Sequence, residues 1–229
     1  MKTMIRIFLI SSLAVFLIAG CSDDKKDSNN ATLSFMAEQL LGKAAAPGTL
    51  TIDTAKILIT RIKFESQGDT DSMDFENGPI VVNLDLSGEV QVVSAANVPQ
   101  GVYDHIKFEI HKPNANEDLP DPDFITGSSG NDRYSIIIIG TYNSNRFVFM
   151  SRNTINQSVT IDPPVEIADS VGVANLTLAV NIANWFSDGV GGYLDPTDTG
   201  ASNVAAIENT IRASFRGFKD NNKDGDESN

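Results

Sequence analysis

The stretch YDHIKFEIHK, residues 103–112, sets Ile106, Phe108 and Ile110 against His105, Lys107, Glu109 and His111 in strict alternation. A period of two puts each set on its own side of an extended chain, so this segment is predicted to be a half-buried β-strand. The same period recurs in TAKILITRIKFES, where Leu58, Thr60, Ile62 and Phe64 share one predicted face. Further strand candidates are 32–41, 79–86, 89–95, 133–142, 146–152, 156–162 and 174–182, separated by stretches rich in Gly, Pro, Asn and Asp. YNSNR between two of them has the composition of a hairpin turn, and VPQG at 98–101 places Pro and Gly where a type I turn wants them.

Strands joined by short turns, with no helical pattern between them, predict an antiparallel β-sandwich over residues 32–219. One segment departs from the period. Val204, Ile207, Ile211, Phe215 and Phe218 recur at spacings of three and four, which predicts one C-terminal amphipathic helix of about four turns packed on the sandwich. Glu208 and Arg212 are spaced to pair along it, and Arg212 and Arg216 fall near the end where the helix dipole favours cations.

The N-terminus places Lys2 and Arg6 ahead of an apolar run from Ile7 to Ala19, then Gly20 and the single cysteine, Cys21. That is the layout of a secretory signal, and the run is shorter than the roughly 20 residues a membrane-spanning helix needs. A lone cysteine in an exported chain has no internal disulfide partner, so its position asks for another explanation. Leu17-Ile18-Ala19-Gly20-Cys21 resembles the lipobox of bacterial lipoproteins. The resemblance implies that residues 1–20 are a signal peptide cut away, that the Cys21 thiol receives diacylglycerol and that the new amine is acylated. One fatty chain binds a membrane only marginally, at about 0.8 kcal/mol per buried methylene, whereas three on one residue make attachment lasting. Residues 22–31 are polar and aperiodic, so 21–31 is expected to be a lipidated cysteine followed by a disordered tether. Ser22-Asp23-Asp24 is similar to the acidic surface-export signal of lipoproteins in the Bacteroidota, which implies the outer membrane and its exposed face.

The chain carries 17 basic and 30 acidic residues, a net charge of −13. The signal holds two of the basic residues and no acidic one, so its loss takes the mature chain to −15. Such a field repels nucleic acid and anionic headgroups, and nucleic-acid binding is excluded as a function class. The membrane partner is expected through the lipid alone.

The C-terminal DNNKDGDESN, residues 220–229, matches the first half of an EF-hand loop. Asp220, Asn222 and Asp224 take positions 1, 3 and 5, Gly225 takes the sharp turn and Asp226 follows, so these four oxygen-bearing residues are the candidate Ca²⁺ ligands. The sequence stops before the bidentate Glu of position 12. A complete site needs carboxylates from elsewhere, such as Asp121 or Asp123, and the competing reading is a solvated acidic tail. The acidic loops 68–76 and 116–124 read as solvated connections.

His105 and His111 lie six residues apart on one predicted strand, roughly 20 Å from each other, and do not share a metal. No Gly-x-Ser-x-Gly, no His-Glu-x-x-His and no cysteine pair occurs, and nothing fixes the carboxylate spacing a glycosidase needs, so the chain is expected not to be an enzyme. GVGG at 189–192 reads as a flexible turn. Trp185, Phe186 and Tyr193 read first as a core plug, and second as a platform for stacking on a sugar ring.

The succession LTIDTAKILITRIKFE, PIVVNLDL, NVPQGVYDHIKFEIHKP, LTLAVNIANWF, LDPTD and SFRGFKDNNKDGD resembles a family of bacterial lipoproteins with an immunoglobulin-like or transthyretin-like β-sandwich. That family has no settled activity, so the resemblance implies a fold and a location rather than a reaction. The expectation is a membrane-anchored binding or structural module, with a glycan or protein ligand and stabilisation by Ca²⁺. The alternative is a fimbrillin-like pilus or adhesin subunit, in which residues 32–41 and the following GKAAAPG supply an exchangeable first strand.

Overall fold

Each of these alternating stretches becomes a strand in the computed structural model, which describes residues 29–38, 50–66, 73–170 and 172–227, with backbone alone for 73–77. The strands are β1 (Ala31–Ala37), β2 (Leu50–Ser66), β3 (Met73–Asn83), β4 (Gln91–Ala96), β5 (Gly101–Ile110), β6 (Ile136–Tyr142), β7 (Asn145–Ser151), β8 (Ile155–Ile167), β9 (Ala174–Val180) and β10 (Phe215–Lys219). One α-helix, α1 (Ala201–Arg212), precedes β10, and short 3₁₀ turns occupy Pro122–Phe124, Gly130–Asp132 and Ile182–Asn184. Among the described residues the protein is mainly β with a single α-helix.

The strands pair in the order β4-β1-β9-β10-β8-β5-β2-β6-β7, with β3 on β2, forming one curled ten-stranded sheet. That sheet is mixed rather than wholly antiparallel. β1 runs parallel to β9 from Ala31 opposite Ala174 to Ala37 opposite Val180, and β10 touches β8 in parallel at Gly217 and Ile161. The antiparallel expectation assumed that consecutive strands are neighbours, and only β2/β3, β6/β7 and β9/β10 are. The β6–β7 hairpin does turn at YNSNR, with Asn143 and Ser144 at φ 49° and 68°, the left-handed pair that matches strand twist.

The core lies inside the curl, where Leu33 and Phe35, Ile57 and Ile59, Ile106 and Phe108, Ile136 and Ile138, and Leu176 and Leu178 meet Ile207 and Ile211 of α1. A β-bulge in β2 between Ile59 and Arg61 shifts the alternation by one. Ile62 and Phe64 therefore join the main core, while Leu58 points the other way into a second cluster with Phe124, Tyr134 and Ile137. The shared face predicted for Leu58, Ile62 and Phe64 is split by that one extra residue.

The predicted helix is also shorter. It ends at Arg212, capped by the Ala213 N–H on the Asn209 and Ile211 carbonyls, and Phe215 and Phe218 stand on β10. There Phe218 is buried and Phe215 packs edge-on against Phe108 at 5.0 Å between ring centres. Five backbone pairings to β9 outweigh the helical spacing of these two aromatics.

Candidate functional site

Cys21 and the predicted signal lie outside the described residues. The candidate Ca²⁺ ligands lie within them, and the structure separates Asp220 from the rest. Asp220 is fully buried at the end of β10. Its Oδ2 accepts hydrogen bonds from Thr177 Oγ1 at 2.8 Å and from the Gly225 N–H at 3.2 Å, and its Oδ1 accepts from the Asp224 N–H at 3.1 Å. The loop closes on this carboxylate, with Lys223 and Gly225 at φ 60° and 82°. Asn222, Asp224 and Asp226 are exposed, and Asp224 accepts from Asn222 Nδ2 at 2.7 Å and from the Asp226 N–H at 2.9 Å.

Behind Asp220 runs a buried polar chain that joins both ends of the described domain. Asn175 on β9 donates from Nδ2 to the Asp220 carbonyl at 2.8 Å and to Thr177 Oγ1 at 3.1 Å. Its Oδ1 accepts from Thr32 and Ser34 of β1 at 2.7 and 2.8 Å. Every polar group here has a partner, the condition under which a buried network specifies structure instead of destabilising it.

Asp121 and Asp123, the carboxylates considered as extra ligands, both take Lys56 Nζ, at 2.6 and 2.8 Å. Burial pushes the Asp121 carboxyl up, but the hydrogen bonds from Lys56 and the Asp123 N–H and the Lys56 charge outweigh it and hold the group below its ordinary range. Among the described residues no three of His, Cys, Asp and Glu converge on one point. His105 Nδ1 contacts Asp104 Oδ1 at 2.8 Å, within its own strand.

Glu208 has a different partner from the one its spacing suggests. It is buried, accepting from Ser151 Oγ at 2.5 Å and from Asn153 Nδ2 at 2.6 Å, so it clamps α1 to the end of β7. Arg212, its predicted mate, is exposed. No local spacing signals this clamp, because Ser151 and Asn153 lie more than fifty positions away.

Trp185 and Phe186 are both fully buried, so they are core and not a sugar-stacking platform. The Trp185 indole N–H donates to Ser214 Oγ at 2.8 Å, and Phe186 packs edge-on against Phe147 and Phe149. The following GVGG is a shaped turn: Asp188 Oδ1 accepts from the Val190 and Gly192 N–H groups at 2.9 and 2.8 Å. Those two bonds hold the Asp188 carboxyl below its ordinary range.

This turn, the second half of α1 and the start of β10 enclose an open cavity of about 890 Å³. Asn181, Asn184 and Asn209 line it together with Asp188, Phe215 and an ion pair between Arg216 and Glu38 at 2.8 Å. Asn181 Oδ1 is buried in that wall without a hydrogen-bond partner. Sequence reading missed this site because its residues come from three separate segments, each unremarkable alone. Comparison with protein-family models, with curated proteins and with solved structures finds nothing that matches this chain. Fold and cavity thus define, among the described residues, a mainly β domain with a concave polar site.

Proposed function

We propose that this chain is a lipid-anchored module of a bacterial outer membrane, displayed at the cell surface, that binds a ligand rather than transforming one. The observation that carries the reading is the run Leu17 to Cys21, an apolar segment ending in small residues and the only cysteine. The residue before β1 supports it: Asn30, nine residues after Cys21, is pinned to Val98 by two hydrogen bonds of 2.7 and 2.8 Å, so the chain joins the folded domain within a short reach of the cysteine. Within this reading the curled sheet is a variant of the immunoglobulin-like or transthyretin-like sandwich, with β4-β1-β9-β10 as one half and β8-β5-β2-β6-β7 as the other, joined at the β10–β8 contact. The test is fractionation of a Cys21→Ala variant in the native host. Loss from the membrane fraction, with loss of the lipid mass, is expected; retention of both would defeat the proposal.

Ca²⁺ at the tail loop belongs to the same proposal. A bound ion there competes with the hydrogen bonds that Asn222 and the Asp226 N–H make to Asp224. Equal melting midpoints in EDTA and in millimolar Ca²⁺ would remove it.

One observation favours the pilus alternative. β1 sits between β4 and β9 with both edges paired, so withdrawing it would leave a strand-shaped groove for a second copy to fill. Finding only monomers at the cell surface would exclude that assembly.

A further inference from the structure

We propose that the cavity between α1, the 182–184 turn and β10 is a binding site for a neutral saccharide. The inference deepens the binding-module reading and rests on it. Three side-chain carboxamides line this space: the Oδ1 of Asn181 is buried in its wall and unpartnered, and Asn184 and Asn209 make no side-chain hydrogen bond to any described residue. A buried acceptor without a donor is costly, and a rotation of the Asn181 carboxamide toward a ligand hydroxyl relieves that cost.

The lining selects among ligand classes. Arg216 and Glu38 offset each other, so an anion meets the Asp188 carboxylate and the C-terminal half of α1, the negative end of its dipole, and is disfavoured. A wholly apolar ligand would leave three carboxamides desolvated without partners. A bare metal ion lacks its ligands, because no group of three carboxylates or imidazoles converges among the described residues. A polyhydroxylated ring meets every requirement. Each carboxamide offers one acceptor and two donors to adjacent hydroxyls, Asp188 accepts a further hydroxyl proton, and the half-buried Phe215 ring takes the ring's C–H face. The volume, about 890 Å³, falls in the range of roughly 300–1,000 Å³ typical of small-molecule sites.

The single tryptophan makes a direct reporter. Trp185 is bonded through its indole N–H to Ser214, which lines the cavity, so a seated ligand alters its emission. The lipidated chain, held in a detergent without a sugar headgroup, is titrated with maltotriose, cellotriose, mannotriose and tri-N-acetylchitotriose to about 50 mM, with sialyllactose and spermidine as charged probes. A saturable change with at least one neutral trisaccharide is expected. In the Asn184→Ala/Asn209→Ala variant its Kd rises at least tenfold at an unchanged melting midpoint, since both side chains are exposed. No response to any neutral trisaccharide, a response that survives the double variant, or tighter binding of a charged probe overturns the assignment. Membrane fractionation of Cys21→Ala reads the anchoring separately, so either reading can fail alone.

Discussion

Removing the Asp220 carboxylate tests whether it is a knot in the fold or chiefly a cation ligand. Asp220→Ala deletes one acceptor side chain and strands three donors: the Thr177 hydroxyl and the N–H groups of Asp224 and Gly225. Asp224 is exposed and Gly225 half-buried, so water reaches those two amides and recovers most of their loss. Thr177 is fully buried and recovers nothing. A charge-assisted hydrogen bond contributes about 1.5–3 kcal/mol and a stranded buried hydroxyl costs about 1–3, so the variant should lose about 3 kcal/mol. For a domain of this size that lowers the melting midpoint by about 6–12 °C. Melts followed by circular dichroism, in EDTA, measure it without any contribution from a bound ion. Thr177→Val closes a double-mutant cycle: with the hydroxyl gone, Asp220→Ala should cost about 1–2 kcal/mol less than it does alone. A loss under about 1 kcal/mol in EDTA, with a large one in Ca²⁺, would refute the knot and make Asp220 a ligand first.

The remaining expectations concern other clamps. Glu208→Ala should cost about 2–3 kcal/mol in urea unfolding by stranding Ser151 and Asn153, whereas Arg212→Ala should stay within about 0.5. Lys56→Met should destabilise in a pH-dependent way. The hydrogen bonds that Lys56 donates to Asp121 and Asp123 raise its pKa, so its contribution is complete below about pH 10.4 and is lost as pH climbs through the raised value. Asp121 is lowered, so its contribution is complete above about pH 4 and is lost as pH falls through the lowered value. The difference in melting midpoint between Lys56→Met and wild type should therefore be widest between those limits and shrink at both extremes; a constant difference from pH 2 to 11 would count against the pairing. Gly140→Ala would drive a Cβ into the Thr51 carbonyl oxygen, and the overpacking should cost about 1–3 kcal/mol in the same unfolding assay.

What the sequence disclosed was whatever is encoded locally. All nine strand candidates overlap an observed strand, because alternation is a property of neighbours. The β6–β7 hairpin was legible for the same reason. The bulge at Thr60 was not, since one extra residue leaves the composition of β2 unchanged while moving Leu58 to the opposite face from Ile62. Phe215 and Phe218 fitted a helical spacing and were drawn to the edge of β9 instead. At Asp220 the spacing Asp-x-Asn-x-Asp-Gly is legible, but what the carboxylate faces depends on Thr177, 43 positions away. Trp185 could be read as core because a lone large aromatic ending a strand seldom stays wet. The cavity was beyond local reading, since Asn181, Asn184 and Asn209 become neighbours only when α1 closes over the 182–184 turn.

The two polar residues in the buried run ANLTLAV have a further consequence for how β1 is held. β9 is buried along its whole length, so apolar pattern alone specifies its pairing weakly. β1 carries Ala31, Leu33, Phe35 and Ala37 on its core face, and a slip of two residues would keep apolar side chains facing inward. It would not keep Thr32 and Ser34 on the Asn175 Oδ1, nor leave Asn175 fully bonded to Thr177 and Asp220. A buried amide without its partners is costly, so the network selects one register from several the hydrophobic pattern tolerates. On the proposed anchoring this is the strand that takes the pull of the lipid. Tension applied at its N-terminus runs along β1, in shear against β4 and β9 together, so its backbone hydrogen bonds share the load instead of opening one by one. The Asn175 hub, tying β1 through β9 to the end of β10, resists the two-residue slip by which such a strand would begin to slide.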